Sequence, residues 1–87
     1  MVMKMNRVLV KLYVPMLEKI YDVWFPSQKK ISNIIVLLVK AIYELNDNCY
    51  RPKEIPILYD KLTAEPYDLN LKVKDTSIRS GTEIILL

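Results

Sequence analysis

The sequence predicts an α+β fold in which one helix packs across one face of a mixed sheet of four or five strands. Three observations indicate it: an apolar, β-branched run near the start of the chain, one long segment with apolar residues at helical spacing, and a final apolar strand. A chain of 87 residues is long enough for one domain. We expect residues 1–6 to be disordered or extended, and residues 7–87 to form the domain.

The first two strands are predicted to form a hairpin. Residues 8–14 are rich in β-branched side chains and stop at Pro15, and residues 20–25 stop at Pro26. A connection of about five residues suits two antiparallel strands. Alternation along the second strand places its residues on two faces, Tyr21, Val23 and Phe25 on one and Ile20, Asp22 and Trp24 on the other.

The helix is predicted to begin after Ser27, which suits an N-cap, and to stop at residues 46–48. Its core-facing stripe consists of Ile31, Ile34, Ile35, Leu38, Ile42 and Leu45. Val36, Leu37 and Tyr43 lie off this stripe. We expect the segment 51–56 to cover them, and the alternative is a second contact, including one with another copy of the chain.

The second half of the chain is predicted to supply short strands. Residues 51–56 contain two prolines and are predicted to form a crossing loop. Residues 57–60 are predicted as a third strand and residues 83–87 as the last strand. Residues 71–78 are predicted as a short strand followed by a turn. The first and last strands are expected to pair in parallel at the sheet centre, because the intervening helix supplies the long crossover that parallel pairing needs.

The composition argues against catalysis. The chain has no His, one Cys and one Gly, which excludes imidazole chemistry, multi-cysteine metal sites and glycine-rich phosphate loops. Cys49 has no candidate base, so we expect it to be unreactive. Asp60 and Asp68 could approach each other and bind a cation, but turn residues in solvent are the preferred interpretation. We expect no enzymatic activity, no cofactor and no metal.

The charge pattern bears on partners and location. The formal net charge is +3, and the basic residues are mostly isolated, so nucleic-acid binding is an alternative and not the preferred hypothesis. The longest apolar run in the helix, residues 34–39, is far shorter than the ~20 residues that span a bilayer. We find no signal peptide, and a lone cysteine fits a reducing compartment, so we expect a cytoplasmic protein.

The most specific sequence block is residues 71–87. It has apolar residues at Leu71 and Val73, then Asp75 and Ile78, then a turn with Gly81 before an apolar last strand. With the strands and helix above, this pattern resembles the ubiquitin-like β-grasp fold over residues 7–87. Within that fold it resembles the YukD/EsaB group, small ubiquitin-like proteins associated with bacterial type VII secretion.

The resemblance implies a module that binds proteins without reacting with them. It implies a cytoplasmic accessory of a type VII secretion system, whose partner is a cytosolic domain of the secretion machinery. Conjugated ubiquitin relatives and sulfur carriers end in Gly-Gly, which does not follow Leu87 here, so we expect no conjugation. A β-grasp adaptor of another pathway is the alternative.

A candidate partner-binding surface follows from alternation on the last two strands. Four residues are taken to face the core: Ile57, Tyr59, Ile84 and Leu86. Leu58, Ile85 and Leu87 would then face outward on adjacent strands, where the ubiquitin-like fold carries its main partner-binding patch. Trp24 is the fourth candidate, because it faces away from the helix and exposed tryptophan is enriched at binding hot spots.

Overall fold

The computed structural model describes residues 6–47 and 50–87. Its helix and strands are β1 (Arg7–Val14), β2 (Lys19–Pro26), α1 (Ile31–Leu45), β3 (Leu58–Asp60) and β4 (Glu83–Leu86). The strands form one mixed sheet in the order β2-β1-β4-β3. The predicted α+β fold is therefore confirmed, with the first and last strands parallel at the centre.

Two of the sequence predictions fall partly outside this description. Residues 1–5 of the predicted N-terminal segment, and Asn48 and Cys49 after the helix, lie outside the described residues. Asn6 is described, and its carbonyl accepts a hydrogen bond from the Ser27 amide at 2.8 Å. Among the described residues, no helix combines the length and apolar character that crossing a membrane requires.

The hairpin of β1 and β2 forms as predicted. The two strands pair antiparallel from Arg7 opposite Pro26 to Val14 opposite Lys19. A single 3-10 turn, Pro15–Leu17, joins them, and Glu18 closes it in the left-handed region at φ 54°. Proline suits the start of such a turn because its φ is already fixed near the helical value.

The helix begins later than predicted, and Ser27 is not its cap. The Ser27 and Lys29 carbonyls accept hydrogen bonds from the amides of Lys74 and Val73, so residues 27–30 pair with a distant segment before the helix starts. The first amides of α1, those of Ile31 and Ser32, donate to loop carbonyls, so no side-chain cap is needed.

The core lies between α1 and the inner face of the sheet. Five of the six predicted stripe residues on the helix are buried: Ile31, Ile34, Ile35, Leu38 and Ile42. The sixth, Leu45, is 69% exposed, because the helix ends at that residue and no described segment packs over it. Helical spacing thus predicted the buried stripe correctly up to its last position.

The loop after the helix covers less of α1 than expected. Val36 and Leu37 remain at least half exposed, and an apolar crevice of about 470 Å³ separates Val36 and Val39 from the segment 50–56. Tyr43 is half-buried, with the Arg51 guanidinium 5.6 Å from its ring centroid. The prediction that this loop buries Val36 and Leu37 is therefore wrong.

The segment before the last strand forms a turn and no strand. It makes one isolated bridge, between Lys72 and Lys30, and then a 3-10 turn at Val73–Asp75. Val73 and Ile78 are buried in the core. Gly81 has φ +92° in the turn that leads into β4, a conformation that glycine adopts without steric cost.

Candidate protein-binding site

Strand pairing determines which side chains of β3 and β4 face outward. Leu58 lies opposite Leu86, and antiparallel partners share a face, so both point toward the helix. Leu58 is fully buried, with 0% exposure. The prediction that Leu58 faces outward is wrong, and so is the inward placement of Ile57 and Tyr59. The register of a three-residue strand is set by its neighbour, which the sequence of β3 does not reveal.

The outward-facing residues at one end of the sheet form a cluster that we name the outer apolar patch. Cross-strand pairing places Ile20, Tyr13, Ile85 and Tyr59 in one row across all four strands. Leu87 adds to the cluster, because it follows Ile85 by two residues along the chain and therefore lies on the same face. Ile20 is 65% exposed and Leu87 68%, whereas Ile85 is half-buried. The patch includes two of the four predicted residues, Ile85 and Leu87.

Sequence reasoning missed the other three members of the patch. Ile20 shares the face of Trp24 in the predicted alternation of the second strand, but only the pairing of β1 with both β2 and β4 brings it and Tyr13 beside Ile85. Tyr59 joins them because the side chains of β3 face the opposite way from the prediction, with Leu58 inward and Tyr59 outward. The alternation of β1 and β2 was the available signal, since the residues of a strand that share its outer face lie two positions apart.

A band of four charged residues crosses the sheet beside the patch. Asp22, Lys11, Glu83 and Lys61 follow one another across the strands with alternating sign. Lys11 Nζ lies 3.9 Å from Asp22 Oδ1, and Lys61 Nζ lies 3.8 Å from Glu83 Oε2. The charges of this band cancel, which differs from the basic stripe typical of nucleic-acid binding.

Trp24 lies beyond the charged band, at the opposite end of the sheet from the outer apolar patch. It pairs across the hairpin with Leu9 and is 51% exposed. The Arg7 guanidinium carbon lies 4.6 Å from a Trp24 ring centroid, which is cation–π geometry. Trp24 faces outward as predicted, but it forms a separate contact area from Ile85 and Leu87.

A crevice adjoins the outer apolar patch. Leu87, Tyr59 and Met16 line it together with the segment 52–57, and its volume is about 390 Å³. Met16 is well exposed, and Ile55 in the segment is 83% exposed. The backbone of Leu87 is held by two 3.0 Å hydrogen bonds with Ile57, so the crevice wall is anchored to the sheet.

The loop after β3 is organised by Asp60. One carboxylate oxygen accepts from the amides of Leu62 and Thr63, and the other accepts from the Tyr67 hydroxyl at 3.1 Å. The hydrogen bonds from these backbone amides, that of Thr63 most of all, lower the pKa of Asp60 below its ordinary value. Asp68 instead accepts from the amide of Asn70. Both carboxylates therefore act as turn residues, as the preferred interpretation held.

Tyr67 is buried beneath this loop, and burial together with the hydrogen bond to Asp60 raises its pKa to about 12. Tyrosine in an unfolded chain ionises near pH 10. Deprotonation above pH 10 therefore favours the unfolded state, and the stability that Tyr67 contributes is lost as the pH rises from 10 to 12.

We expect Tyr67→Phe to have two effects on stability. At neutral pH it should lower the free energy of unfolding by about 1 kcal/mol, because a hydrogen bond is lost. Between pH 10 and 12 it should flatten the fall in stability that the parent chain shows, because the group that ionises is gone. Urea unfolding at a series of pH values measures both, and parallel pH profiles for the two proteins would contradict the assignment.

The charged side chains of the described residues lie at the surface and not in the core. In residues 6–47 and 50–87, no three His, Cys, Asp or Glu side chains come close enough to hold a metal ion. The buried side chains of this described part are aliphatic or aromatic, and only Tyr50 and Tyr67 among them carry a polar group. What the geometry provides is an exposed apolar and aromatic surface with a charged border, which suits protein contact.

Comparison with known proteins identifies the architecture. The sequence matches no protein-family model and no curated protein sequence. Among solved structures, the ubiquitin-like domain of the Mycobacterium tuberculosis type VII secretion protein EccD1 matches at a TM-score of 0.75 and 13% identity, covering 95% of this chain and 99% of that domain.

Two further structures match similarly. The EccD5 ubiquitin-like domain from Mycobacterium xenopi has a TM-score of 0.75 and 16% identity, over 93% of this chain and 92% of that one. A chain of the MycP5-free ESX-5 inner membrane complex has a TM-score of 0.76 and 14% identity, over 94% of this chain. The present chain spans about a fifth of that longer chain, 21% of its length. The four-stranded mixed sheet with one helix is thus a ubiquitin-like β-grasp fold, shared with ubiquitin-like domains of type VII secretion proteins.

Proposed function

We propose that this chain is a non-catalytic, ubiquitin-like protein-interaction module of a bacterial type VII secretion system. The observation that carries the proposal is the likeness to EccD ubiquitin-like domains, with TM-scores of about 0.75 over more than nine tenths of the chain. We place the module in the cytoplasm. Its partner is a cytosolic domain of a secretion component, which it binds without forming a covalent bond.

The outer apolar patch is the proposed contact surface. Stable interfaces have an apolar and aromatic centre surrounded by polar residues, and the patch meets the charged band along one side. Ile20 and Leu87 are both about two-thirds exposed, so their burial by a partner would remove apolar surface from water. The adjoining crevice can accept an apolar side chain beside Leu87. Trp24 is proposed as a second, smaller contact.

The chemistry of the chain supports binding over catalysis. It contains no His, and backbone groups hold the hydroxyls of Thr76 and Thr82 in the turns before β4. Thr76 Oγ1 donates to the Val73 carbonyl, and Thr82 Oγ1 accepts from the Arg79 amide. A hydroxyl nucleophile needs a positioned base, whereas these two hydroxyls bond to backbone groups.

Leu87→Asp is expected to weaken partner capture at least about tenfold, because it places a charge within an apolar contact. The experiment measures binding of the purified chain to the separately expressed cytosolic domains of the type VII secretion components encoded with it. Leu62→Asp is the matched control, since Leu62 is 94% exposed on the loop after β3 and lies outside the patch.

Circular dichroism spectra must confirm that both variants fold. Full capture by folded Leu87→Asp would exclude the outer apolar patch as the contact. Failure of the parent chain to bind any of these cytosolic domains would instead contradict the secretion assignment itself. A loss that appears equally in Leu62→Asp would show that the effect comes from added charge and not from the patch.

A further inference from the structure

β2 forms one edge of the sheet of the described residues, and half of its backbone groups point away from β1. The Ser27 amide donates to the Asn6 carbonyl, so this pair is directly hydrogen-bonded across the hairpin. In an antiparallel pair, hydrogen bonding alternates along the strand. The odd-numbered residues of β2 therefore bond to β1. Ile20, Asp22 and Trp24 direct their amide and carbonyl groups to the open edge.

This edge has little of the protection that exposed strands usually carry. Natural edge strands are often short, bulged, or rich in lysine and proline. β2 has eight residues, and its pairing with β1 is unbroken over all of them. Proline occurs only at its last position, Pro26, and lysine only at its first, Lys19. Between these ends, Asp22 is the single charged residue.

Pairing with a second copy of the same edge is disfavoured by the sequence of β2. Hydrogen bonding between two such edges requires an even-numbered residue opposite another even-numbered residue. A two-fold axis at Asp22 places that carboxylate opposite its own counterpart, a destabilising like-charge pair.

The neighbouring registers of a symmetric pair have other defects. In the next symmetric register on one side, Ile20 of one copy lies opposite Pro26 of the other, and proline has no amide hydrogen to donate. In the next symmetric register on the other side, Trp24 of one copy lies opposite Glu18 of the other. Glu18 is outside the strand and has a positive φ. Each symmetric register therefore loses a favourable pair or part of its length. The edge is better suited to a strand of different sequence.

We propose that the open edge of β2 accepts an extended segment of a partner protein as a fifth, antiparallel strand. The segment carries Lys or Arg opposite Asp22 and large apolar residues two positions to either side, opposite Ile20 and Trp24. Asp22 supplies the charge complementarity, because its ion pair with Lys11 is long at 3.9 Å and more than half exposed at both ends. Ile20 and Trp24 supply apolar surface at 65% and 51% exposure.

The inference does not depend on the secretion assignment, since it rests on backbone geometry and the side chains of β2. It concerns the edge strand β2, whereas the outer apolar patch spans all four strands and shares only Ile20 with it. Main-chain hydrogen bonds give such strand addition its affinity, and alternate side chains give it selectivity. β2 therefore selects a partner segment with a basic residue at its centre and apolar residues two positions to either side.

The test uses a synthetic ten-residue peptide with the central sequence Val-Thr-Arg-Thr-Phe, titrated to millimolar concentration. Hydrogen exchange followed by NMR reports each amide of the protein. We expect the amides of Ile20, Asp22 and Trp24 to exchange at least about tenfold more slowly with bound peptide. The amides of Tyr21 and Val23 already bond to β1, so their exchange should change little.

A charge swap tests the register. The same peptide with Glu in place of Arg should bind the parent chain more weakly, by up to about fivefold for a cross-strand pair. Asp22→Lys should invert this preference, and Asp22→Asn should abolish it without inversion. Circular dichroism confirms that the two variants fold, which is expected because the Asp22 side chain is 66% exposed.

Three results would overturn the proposal. One is unchanged exchange at Ile20, Asp22 and Trp24 at millimolar peptide. Another is a preference for Arg over Glu that Asp22→Lys does not alter. The third is protection of the same three amides in the protein alone together with a dimer in analytical ultracentrifugation, which would show that a second copy occupies the edge.

Discussion

Leu58→Asp is expected to prevent the chain from folding, and Leu58→Ala to lower the free energy of unfolding by about 2–5 kcal/mol. Leu58 is fully buried, lies opposite Leu86 on the inner face and belongs to the cluster that packs against α1. An aspartate there would place a charge in a core whose buried side chains, among the described residues, are aliphatic or aromatic.

The matched control is the next residue along the same strand. Tyr59 points outward, so Tyr59→Ala should cost about 1 kcal/mol or less while leaving the core intact. Urea unfolding monitored by circular dichroism measures both variants. If Leu58→Ala were as stable as the parent while Tyr59→Ala unfolded, the register of β3 would be shifted by one residue and every facing assignment on that strand would reverse.

Phe25→Ala is expected to lower the free energy of unfolding by about 3–5 kcal/mol, the range for a large aromatic side chain removed from a core. Phe25 is 1% exposed, lies opposite Val8 on the inner face of the hairpin and is the largest fully buried side chain. Removing the ring leaves a cavity between the sheet and α1 that the surrounding side chains can fill only in part.

The neighbouring Trp24→Ala change should have the reverse profile. Trp24 lies on the outer face, and its contact with the Arg7 guanidinium is worth about 0.5–1 kcal/mol at an exposed site. We therefore expect a small loss of stability and, under the proposed function, weaker partner capture. Thermal unfolding and capture assays on both variants separate the two roles, and a large stability loss in Trp24→Ala would show that this ring supports the fold.

Local periodicity was sufficient to predict most of the fold. Alternation in β2 assigned its inner and outer faces correctly, because side chains on a strand alternate regardless of which strand lies beside it. Helical spacing identified the buried face of α1 for the same reason. The parallel pairing of β1 with β4 followed from the length of chain between them.

Predictions failed where a residue's environment depends on distant parts of the chain. Ser27 has the side chain of a helix cap, but its backbone carbonyl bonds to Lys74, and the helix starts four residues later. Leu45 has the correct helical phase, but it is the last residue of the helix and stays in solvent. Neither outcome can be inferred from neighbouring residues, since each is set by a segment that packs or fails to pack there.

For the binding surface, the sequence alone determined that Trp24, Ile85 and Leu87 point away from the helix, because each follows the alternation of its own strand. Tertiary structure decided the rest. The sequence of β3 is apolar at two successive positions, so its orientation depends on which β4 residue each one faces. Pairing with β4 buried Leu58 and exposed Tyr59. The same pairings gathered Tyr13, Ile20 and Tyr59 around Ile85 and separated Trp24 from them, since cross-strand neighbours are fixed by hydrogen-bond register and not by position along the chain.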